Sequence, residues 1–303
     1  MTATHTHTPA RAAWRDADTL PVSLVLEGGG MRGLFTAGVC DFLLEHGICA
    51  EQVIGTSAGA LNGFNYVSGA IGRTAYLNVK YCTDWHYLSM RNFAVTGDAF
   101  NSQMLFHEIP ERLDPFDFAD FEESPMTLTT VASDLERGDA DYHEHHGRFD
   151  DRAIAYVSAS ASMPFVSHIV SVDGKMLLDG GTCDSVPYLY HRFKAVEPKQ
   201  IVVLTRDPTY RKKKLKLSAL AQRLYGDYPL YIDRLENRHF EYNLCYRRLH
   251  ELDAAGKLFL IEPAVPVTVQ AMEHDPDALL DLYGQGYGAA LSRWEDLQRY
   301  LEL

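Results

Sequence analysis

The sequence predicts an α/β fold with a mainly parallel central sheet, helices on both faces, and a mostly helical C-terminal region. Two short candidate strands, at residues 22–26 and 51–54, are each followed by a glycine-containing turn and then by a helical pattern. Strand–turn–helix units in succession form parallel strands, because each helix returns the chain to the same end of the sheet. Beyond residue 211 the apolar spacing is mainly helical.

The first unit shows the pattern most clearly. VSLVL at residues 22–26 is typical of a strand buried on both faces, and three glycines follow it closely. Leu34, Val39 and Phe42 then recur at helical spacing, and Gly47 stands where a left-handed C-cap is favoured. The other predicted strands are residues 126–132, 175–178, 201–205 and 257–263. Between the first two of these, residues 134–147 are predicted to form a polar hairpin or turn, and residues 154–160 to return to the core. The predicted C-terminal helices are residues 217–224, 230–252 and 277–301.

Composition and charge exclude several classes of protein. The net charge of −13 opposes non-specific binding to nucleic acid. Five cysteines without C-x-x-C spacing indicate neither a disulfide framework nor a zinc site, but reduced thiols as in a cytosol. Residues 1–16 lack an apolar signal-peptide core, and no apolar stretch approaches the roughly 18 residues of a spanning helix. We therefore expect a cytoplasmic protein that is soluble or peripheral at the membrane.

A short motif in the second unit contains a candidate nucleophile. Residues 55–59 read Gly-Thr-Ser-Ala-Gly, which fits G-x-S-x-G between a strand and a helix. Small residues beside Ser57, with Gly55 and Gly59, allow a sharp turn that exposes the serine hydroxyl at a helix N-terminus. Taken alone, the same residues also fit an ordinary β–α turn capped by a serine.

The glycine loop after the first strand predicts an oxyanion hole. Gly28, Gly29 and Gly30 allow backbone N–H groups to approach an oxyanion closely, and the following helix adds positive potential. Arg32 adds charge or braces the loop. Gly28 and Gly30 together with Gly33 also satisfy G-x-G-x-x-G, the dinucleotide-binding pattern. That alternative needs an acidic residue at the end of the second strand, where the serine turn stands instead.

A third motif supplies a candidate base. Asp179 follows the short strand KMLL and precedes Gly180 and Gly181, so its carboxylate can project into a cleft. By itself, D-G-G is more often a turn than a catalytic site. The three motifs together, in the order glycine loop, serine turn and D-G-G, are far more specific than any one of them.

With these motifs the sequence resembles the patatin-like phospholipases. In that family a G-G-G-x-R/K-G loop supplies the oxyanion hole, G-x-S-x-G carries the nucleophile, and a D-G-G or D-G-A aspartate completes a Ser–Asp dyad without histidine. Residues 28–33, 55–59 and 179–181 match these motifs, and residues 159–164 (ASASMP) resemble the family's A-S-x-A-x-P segment. The resemblance covers roughly residues 22–204 and implies a three-layer α/β fold.

The resemblance implies a serine acyl hydrolase of lipids, phospholipase A or lysophospholipase in type, that acts through an acyl-enzyme. Ser57 is then the nucleophile, Asp179 is its base, and no metal or other cofactor takes part. A lipid ester is the expected partner, with transient contact to a membrane surface. The expected organisation is a flexible tail at residues 1–20, a catalytic domain at residues 21–208, and a helical extension at residues 209–303 that packs on it, as in some bacterial members.

Other residues offer competing sites, each with a simpler explanation. His191 follows Asp179 in the order of a Ser–Asp–His triad, but we expect it at the surface. The acidic and histidine-rich residues 139–146 fit a solvated hairpin better than a metal site, because alternate side chains point to opposite faces. The basic residues 211–216 fit a solvated turn better than a contact with anionic lipid. Aromatic side chains within residues 75–121 predict a cover over an apolar cleft.

Two other functions are compatible with the same residues. A small-ester esterase or an acyltransferase would use the same Ser57 and Asp179. A nucleotide-binding regulatory protein would instead use residues 28–33 as a phosphate cradle. Labelling of Ser57 by a fluorophosphonate separates both enzymes from the nucleotide-binding protein.

Overall fold

A mostly parallel sheet lies at the centre of the fold. The structure, a computed structural model, describes residues 13–191, 198–216 and 218–303, apart from the side chains of Asp16 and Ser218. Within these residues eight strands form one sheet. They are β1 (Thr19–Leu26), β2 (Cys49–Thr56), β3 (Thr127–Asp134), β4 (Asp139–His145), β5 (Val170–Val172), β6 (Lys175–Asp179), β7 (Lys199–Val203) and β8 (Phe259–Ile261).

The strand pairings confirm the predicted mainly parallel sheet. The order β3-β2-β1-β7-β8 is parallel throughout. Strands β4 and β6 each pair with β3 in the antiparallel sense, and β5 pairs with β6 in the same way. The C-terminal halves of β1 and β2 are buried on both faces, as expected for the central strands of a parallel sheet.

Helices cover both faces of the sheet. They are α1 (Gly33–Glu45), α2 (Ala58–Val67), α3 (Arg73–Tyr81), α4 (Met90–Thr96), α5 (Ala119–Glu122), α6 (Asp151–Ala161), α7 (Ser218–Tyr225), α8 (Pro229–Ala254), α9 (Pro276–Ser292) and α10 (Trp294–Leu301), with a π-helix at Met104–Leu113 and 3-10 turns at Ala13–Asp16, Gly30–Arg32 and Gly180–Thr182. Leu24 and Leu26 pack with α1 and α9, whereas Val25 and Ile54 pack with α8. This alternation follows from the two-residue period of a strand.

Most predicted helices are present, with some differences at their ends. Helix α1 ends as predicted, because Gly47 adopts a left-handed φ of 71° just beyond it. The predicted helix at residues 277–301 is two helices, since Arg293 leaves helical geometry with φ −106° and ψ 10°. Residues 154–160, predicted only to return to the core, lie in α6.

Two predictions reach residues that the structure does not describe. Within the predicted tail at residues 1–20, Trp14 is buried in a 3-10 turn and β1 begins at Thr19, so regular structure starts before residue 21. Residues 1–12 lie outside the described residues. So does Leu217, the first residue of a predicted helix.

The C-terminal region is built into the sheet as well as packed on it. Strand β8 extends the sheet beyond β7, and α8 covers one face. Helix α9 approaches α1 closely, because a Cβ at Gly286 would lie 1.9 Å from the carbonyl oxygen of Phe35. A Cβ at Gly38 would likewise lie 2.1 Å from the carbonyl oxygen of Tyr283. Only glycine fits at these two positions, so α9 and α1 form one tight contact.

Candidate active site

Ser57 stands at a strained turn between β2 and α2. Its φ of 57° and ψ of −123° lie outside the regions that non-glycine residues ordinarily adopt. The neighbouring glycines permit the turn. A Cβ at Gly55 would lie 2.4 Å from the Gly59 carbonyl oxygen, and one at Gly59 would lie 2.3 Å from the Leu26 carbonyl oxygen. The turn holds Ser57 at the N-terminus of α2, which is the geometry that G-x-S-x-G requires.

The register of β3 brings Asp179 to the same place. On β3, Val131 pairs with Thr56 of β2, and the next residue, Ala132, pairs with Asp179 of β6. Strand β4 occupies the other edge of β3 at both residues, so β2 and β6 share one edge and meet end to end. Successive positions along a strand are about 3.3 Å apart. Asp179 therefore lies beside Ser57, the residue that follows β2.

Burial determines the properties of the Asp179 carboxyl group. The side chain is buried, and its Oδ1 accepts the N–H of Gly181 at 2.7 Å. Burial raises the pKa of Asp179 above its ordinary value, while hydrogen bonding with Ser57 and the charge of Arg238 act in the opposite direction. At Gly180 a Cβ would lie 2.2 Å from a carbonyl oxygen of β3. The D-G-G sequence thus lets the carboxylate sit against the sheet.

The glycine loop runs directly past the serine. A Cβ at Gly28 would lie 3.1 Å from the Cβ of Ser57. The N–H of Gly28 already donates to a carbonyl oxygen at 3.3 Å. In the described part of the chain, the N–H groups of Gly29 and Gly30 have no hydrogen-bond partner. Of the three predicted oxyanion-hole glycines, these two have N–H groups free to bind an oxyanion.

Arg32 and Gly33 lie where the loop enters α1. The Arg32 side chain lines a cavity that also contains Asp179, and its buried Nε has no hydrogen-bond partner in the part of the chain that the structure describes. Burial lowers the pKa of Arg32, and Arg206 lowers it further. As a lining residue, Arg32 contributes positive charge to this cavity.

Gly33 has a packing role. A Cβ at Gly33 would lie 2.9 Å from the Cβ of Ala58, so Gly33 allows α1 to pack against α2.

Ser160 supports the serine turn, a role that the sequence did not indicate. Its Oγ accepts the N–H of Ser57 at 2.9 Å and donates to the carbonyl oxygen of Val131 at 2.6 Å. The hydroxyl therefore ties the turn to β3. Its place in the ASASMP segment was the one available signal, and nothing in that segment distinguishes Ser160 from its neighbouring serines.

Glu27, just before the glycine loop, is a second buried residue that sequence reasoning missed. Its carboxylate accepts the hydroxyls of Tyr242 at 2.5 Å and Tyr246 at 2.7 Å, and the N–H of Thr205 at 2.6 Å. A charged residue at the end of a buried strand was a usable signal. No local signal indicated its partners Tyr242 and Tyr246 on α8, because they lie more than 200 residues further along the chain. Glu27 thus joins the glycine loop to the C-terminal region.

Ser57 lines two cavities of different chemistry. The first, which we name the apolar cavity, lies between α2, α3, α6 and the π-helix. Among the aromatic residues predicted to cover a cleft, Phe100, Phe106 and Phe116 line it. Its other apolar lining residues include Leu34, Leu61, Leu77, Leu105 and Ile109.

The second cavity, which we name the basic cavity, contains Asp179 as well as Ser57. It has a volume of about 420 Å³, within the range of small-molecule sites. Five basic and two acidic side chains line it. They are Arg32, Arg206, Lys212, Lys213 and Arg238, and Glu27 and Asp179.

His191 is not at the surface, so that prediction is wrong. The side chain is buried, with only 1% exposed, and its Nε2 lies 2.9 Å from the Oγ of Ser23 in β1. It lines neither the apolar nor the basic cavity. The structure therefore keeps His191 apart from Ser57 and Asp179, and burial in the core accounts for it.

The acidic and histidine-rich residues 139–146 belong to the predicted hairpin, but the prediction that it is solvated is wrong for Asp141 and His145, which are buried. Strand β4 pairs with β3 over seven residues, and its side chains alternate between the two faces. Asp141 is buried and accepts hydrogen bonds from Arg137 at 3.0 Å and Lys175 at 2.6 Å. Over the described ranges, no three acidic, histidine or cysteine side chains are arranged to hold a metal ion.

The basic residues 211–216 are only partly solvated. Lys214 and Lys216 are exposed, as expected for a turn. Lys212 is half-buried in the basic cavity, with its Nζ 4.1 Å from the ring centroid of Tyr242. The prediction of a solvated turn is therefore wrong for Lys212. α8 covers this side chain, which a pattern of consecutive basic residues does not reveal.

Comparison with known protein families identifies the α/β part of the chain. Residues 24–190, more than half of its length, match the family described as patatin-like phospholipase. The chain belongs to the patatin-like phospholipase family. Residues 228–302 match a second family, the domain of unknown function DUF6363. Ser57 and Asp179 lie inside the patatin-like segment, whereas Lys212 and Arg238 lie outside it.

Several known proteins are similar to this chain in sequence or in structure. Uncharacterized protein YjjU of Escherichia coli (strain K12) is 25% identical over 280 residues, covering 88% of this chain and 74% of YjjU. Lysophospholipase NTE1 of Meyerozyma guilliermondii is 30% identical over 173 residues, covering 55% of this chain but 11% of the yeast protein. The crystal structure of VipD from Legionella pneumophila is similar with a TM-score of 0.44 and 11% identity, covering 92% of this chain and 66% of VipD.

No described helix is both long enough and apolar enough to cross a bilayer.

Proposed function

We propose that this patatin-like chain is a serine acyl hydrolase of lipids, phospholipase A or lysophospholipase in type. Ser57 is the nucleophile and Asp179 is its base. The observation that carries the proposal is the pairing of β2 and β6 with consecutive residues of β3, which leaves these two side chains adjacent. Membership of the family, and a lysophospholipase among the relatives, support a lipid ester as the substrate.

The proposed reaction has two steps. Asp179 accepts the proton of the Ser57 hydroxyl as Oγ attacks the ester carbonyl carbon. The N–H groups of Gly29 and Gly30 donate to the oxyanion that forms, and the ester C–O bond then breaks. The leaving alkoxide takes the proton from Asp179, and Ser57 carries the acyl group. Water, deprotonated by Asp179, releases the fatty acid and restores the serine.

The surroundings of Asp179 suit it to act as the base. An exposed aspartate, with a pKa of about 3.9, is a weak base near neutral pH. Burial raises the pKa of Asp179, which strengthens the base. No metal ion or cofactor is required for these steps. His239 also lines the basic cavity, but its Nδ1 lies 3.0 Å from the carbonyl oxygen of Glu236 in the same helix, so that nitrogen is already engaged.

The apolar cavity receives the acyl chain in this proposal, because its lining is mainly aliphatic and aromatic. We place the protein in the cytoplasm, with transient contact to a membrane surface. Helix α4 offers apolar side chains for that contact, since Met90 is 57% and Val95 is 72% exposed.

Hydrolysis of a lipid panel tests the proposal. Wild type should release fatty acid from phospholipids or lysophospholipids, and both Ser57→Ala and Asp179→Asn should abolish that release while remaining folded. Ser292→Ala, at the exposed end of α9, is the matched control and should keep wild-type activity. A fluorophosphonate should label wild type but not Ser57→Ala.

Two results would replace the proposal. Hydrolysis of short nitrophenyl esters with none of phospholipid would indicate a small-ester esterase or an acyltransferase. An absence of labelling, together with calorimetric binding of NAD or FAD, would indicate a nucleotide-binding protein that uses Gly28, Gly30 and Gly33.

A further inference from the structure

The basic cavity concentrates positive charge in an acidic protein. Its five basic and two acidic side chains give it a net positive charge, although the chain as a whole carries −13. Arg238 lies against Gly181, since its Nη2 is 2.9 Å from the position of a Cβ there. Because Gly181 is two residues from Asp179, the charge is concentrated beside the proposed base.

The basic side chains have few partners within the protein. The Nε atoms of Arg32 and Arg238 are buried and have no hydrogen-bond partner among the described residues. Over residues 13–191, 198–216 and 218–303, the ion pairs do not include Arg32, Lys212 or Arg238. Arg206 donates to the carbonyl oxygen of Val267 at 3.2 Å, and its guanidinium lies 4.5 Å from the ring centroid of Tyr210. Arg32, Lys212 and Arg238 are half-buried, and cationic groups removed from water without an anionic partner are costly, so this arrangement suits an anion from outside the chain.

The two carboxylates of the cavity are already engaged. Glu27 accepts hydrogen bonds from Thr205, Tyr242 and Tyr246. Asp179 accepts the N–H of Gly181 and interacts with Ser57. Both carboxylates still attract the cations around them, but two acidic groups do not balance five basic ones.

The pKa of Lys212 reflects the same shortage of anions. Burial is the main cause that lowers it to about 7, and the charge of Arg238 contributes next. Arg32 and Arg206 act in the same direction, and Glu27 opposes them. An anion bound among these side chains would favour the charged amine.

We propose that the basic cavity binds the phosphate of an anionic lipid headgroup while the acyl chain of the same molecule occupies the apolar cavity. Ser57 lines both cavities, so it would face the ester bond between the two ends of the lipid. This inference rests on the proposed acyl hydrolase function. It narrows the substrate to lipids whose phosphate carries no compensating ammonium group, such as lysophosphatidate.

The cavity is poorly suited to a zwitterionic headgroup. An ammonium group needs a carboxylate or an aromatic face. Both carboxylates already accept hydrogen bonds. The rings of Tyr210 and Tyr242 each already carry a cation, Arg206 at 4.5 Å and Lys212 at 4.1 Å, so among the described residues Phe165 is the lining ring that stays open. The lining therefore favours a headgroup with phosphate as its only charged group.

Residues outside the patatin-like segment supply most of this charge. Arg206, Lys212, Lys213 and Arg238 all follow residue 190, where that segment ends, and Arg238 lies within the DUF6363 segment. The inference thus gives the C-terminal region a role in choosing the headgroup.

Substrates that share one acyl chain test the inference. Oleoyl lysophosphatidate, oleoyl lysophosphatidylcholine and monooleoylglycerol are presented at equal mole fraction in neutral detergent micelles. Wild type should show the highest kcat/KM for lysophosphatidate. In Lys212→Met and Arg238→Gln, the ratio of kcat/KM for lysophosphatidate to that for monooleoylglycerol should fall about tenfold, the loss expected for one charged hydrogen bond. Exposed Lys214→Met should keep the wild-type ratio.

Inhibition by inorganic phosphate separates a lipid headgroup from free phosphate. Competitive inhibition of monooleoylglycerol hydrolysis in wild type, weakened in Arg238→Gln, supports a phosphate site when lysophosphatidate is also preferred. The same inhibition without any preference for lysophosphatidate would overturn the headgroup assignment and indicate a site for free phosphate.

The outcomes also separate this inference from the proposed function. Equal kcat/KM for all three substrates, with activity lost in Ser57→Ala, would overturn the headgroup site and leave the hydrolase intact. Hydrolysis that persists in Ser57→Ala would overturn both. Thermal unfolding of each variant, compared with wild type, shows that a loss of selectivity is not a loss of folding.

Discussion

The two cavities that meet at Ser57 differ in chemistry and in origin. Every residue that lines the apolar cavity lies between residues 30 and 167, inside the patatin-like segment. The basic cavity takes about half of its lining from residues 205–272, beyond that segment. The patatin-like segment thus supplies the serine, the aspartate and the apolar cavity, whereas the residues beyond it supply most of the basic side chains of the basic cavity.

The largest expected effect is the loss of kcat when Ser57 or Asp179 is replaced, because both residues take part in forming the acyl-enzyme and in hydrolysing it. Ser57→Ala and Asp179→Asn should each lower kcat by about 10³-fold or more, and the double variant should lose little beyond the worse single one. Residues that act as a unit are strongly non-additive. Single-turnover hydrolysis of lysophospholipid measures this. If the loss of kcat in the double variant equalled the product of the two single losses, Ser57 and Asp179 would act independently.

The contact between α9 and α1 joins the C-terminal region to the helix after the glycine loop. Gly286→Ala forces a Cβ into the carbonyl of Phe35 and should lower the free energy of unfolding by about 1–3 kcal/mol. Gly284→Ala, on the same helix with open space around it, should raise it by up to about 1 kcal/mol. Denaturant unfolding measures both. If both substitutions changed the free energy of unfolding equally, the close contact between α9 and α1 at Gly286 would not be needed for stability.

A variant of the apolar side sharpens the comparison between the cavities. Leu105→Trp fills part of the apolar cavity and should lower kcat/KM for a long-chain ester about tenfold relative to a short-chain ester of the same alcohol. Leu113→Trp, at the exposed end of the same π-helix, should leave that ratio unchanged. If Leu105→Trp altered headgroup preference instead, the assignment of the two cavities would be reversed.

The smallest expected effect is a shift in pH dependence. Burial raises the pKa of Asp179, so the acidic limb of kcat/KM should lie above the ordinary aspartate value of about 3.9. Arg238 stabilises the carboxylate, so Arg238→Gln should raise the pKa further and move the limb to higher pH, by less than about one unit. Arg234→Gln, paired with Glu241 on the same helix, is the control. A limb that moves to lower pH in Arg238→Gln would contradict this account.

The sequence predicted the local features of the fold well, because their causes are local. Apolar runs gave the parallel strands, and glycine spacing gave the turn at Ser57. The adjacency of Ser57 and Asp179 depends on β6 entering the sheet beyond the end of β2, which no local pattern encodes. The burial of Lys212 depends on α8, and the burial of His191 depends on β1.

The most direct test of the account is the site at which a lipid-like fluorophosphonate reacts. We expect one phosphonyl group per chain, mapped to Ser57 by peptide mass spectrometry. Activity should be lost in proportion to labelling, and labelling should be much slower in Asp179→Asn. Labelling of a different residue, or full hydrolytic activity after Ser57 has been labelled, would contradict it.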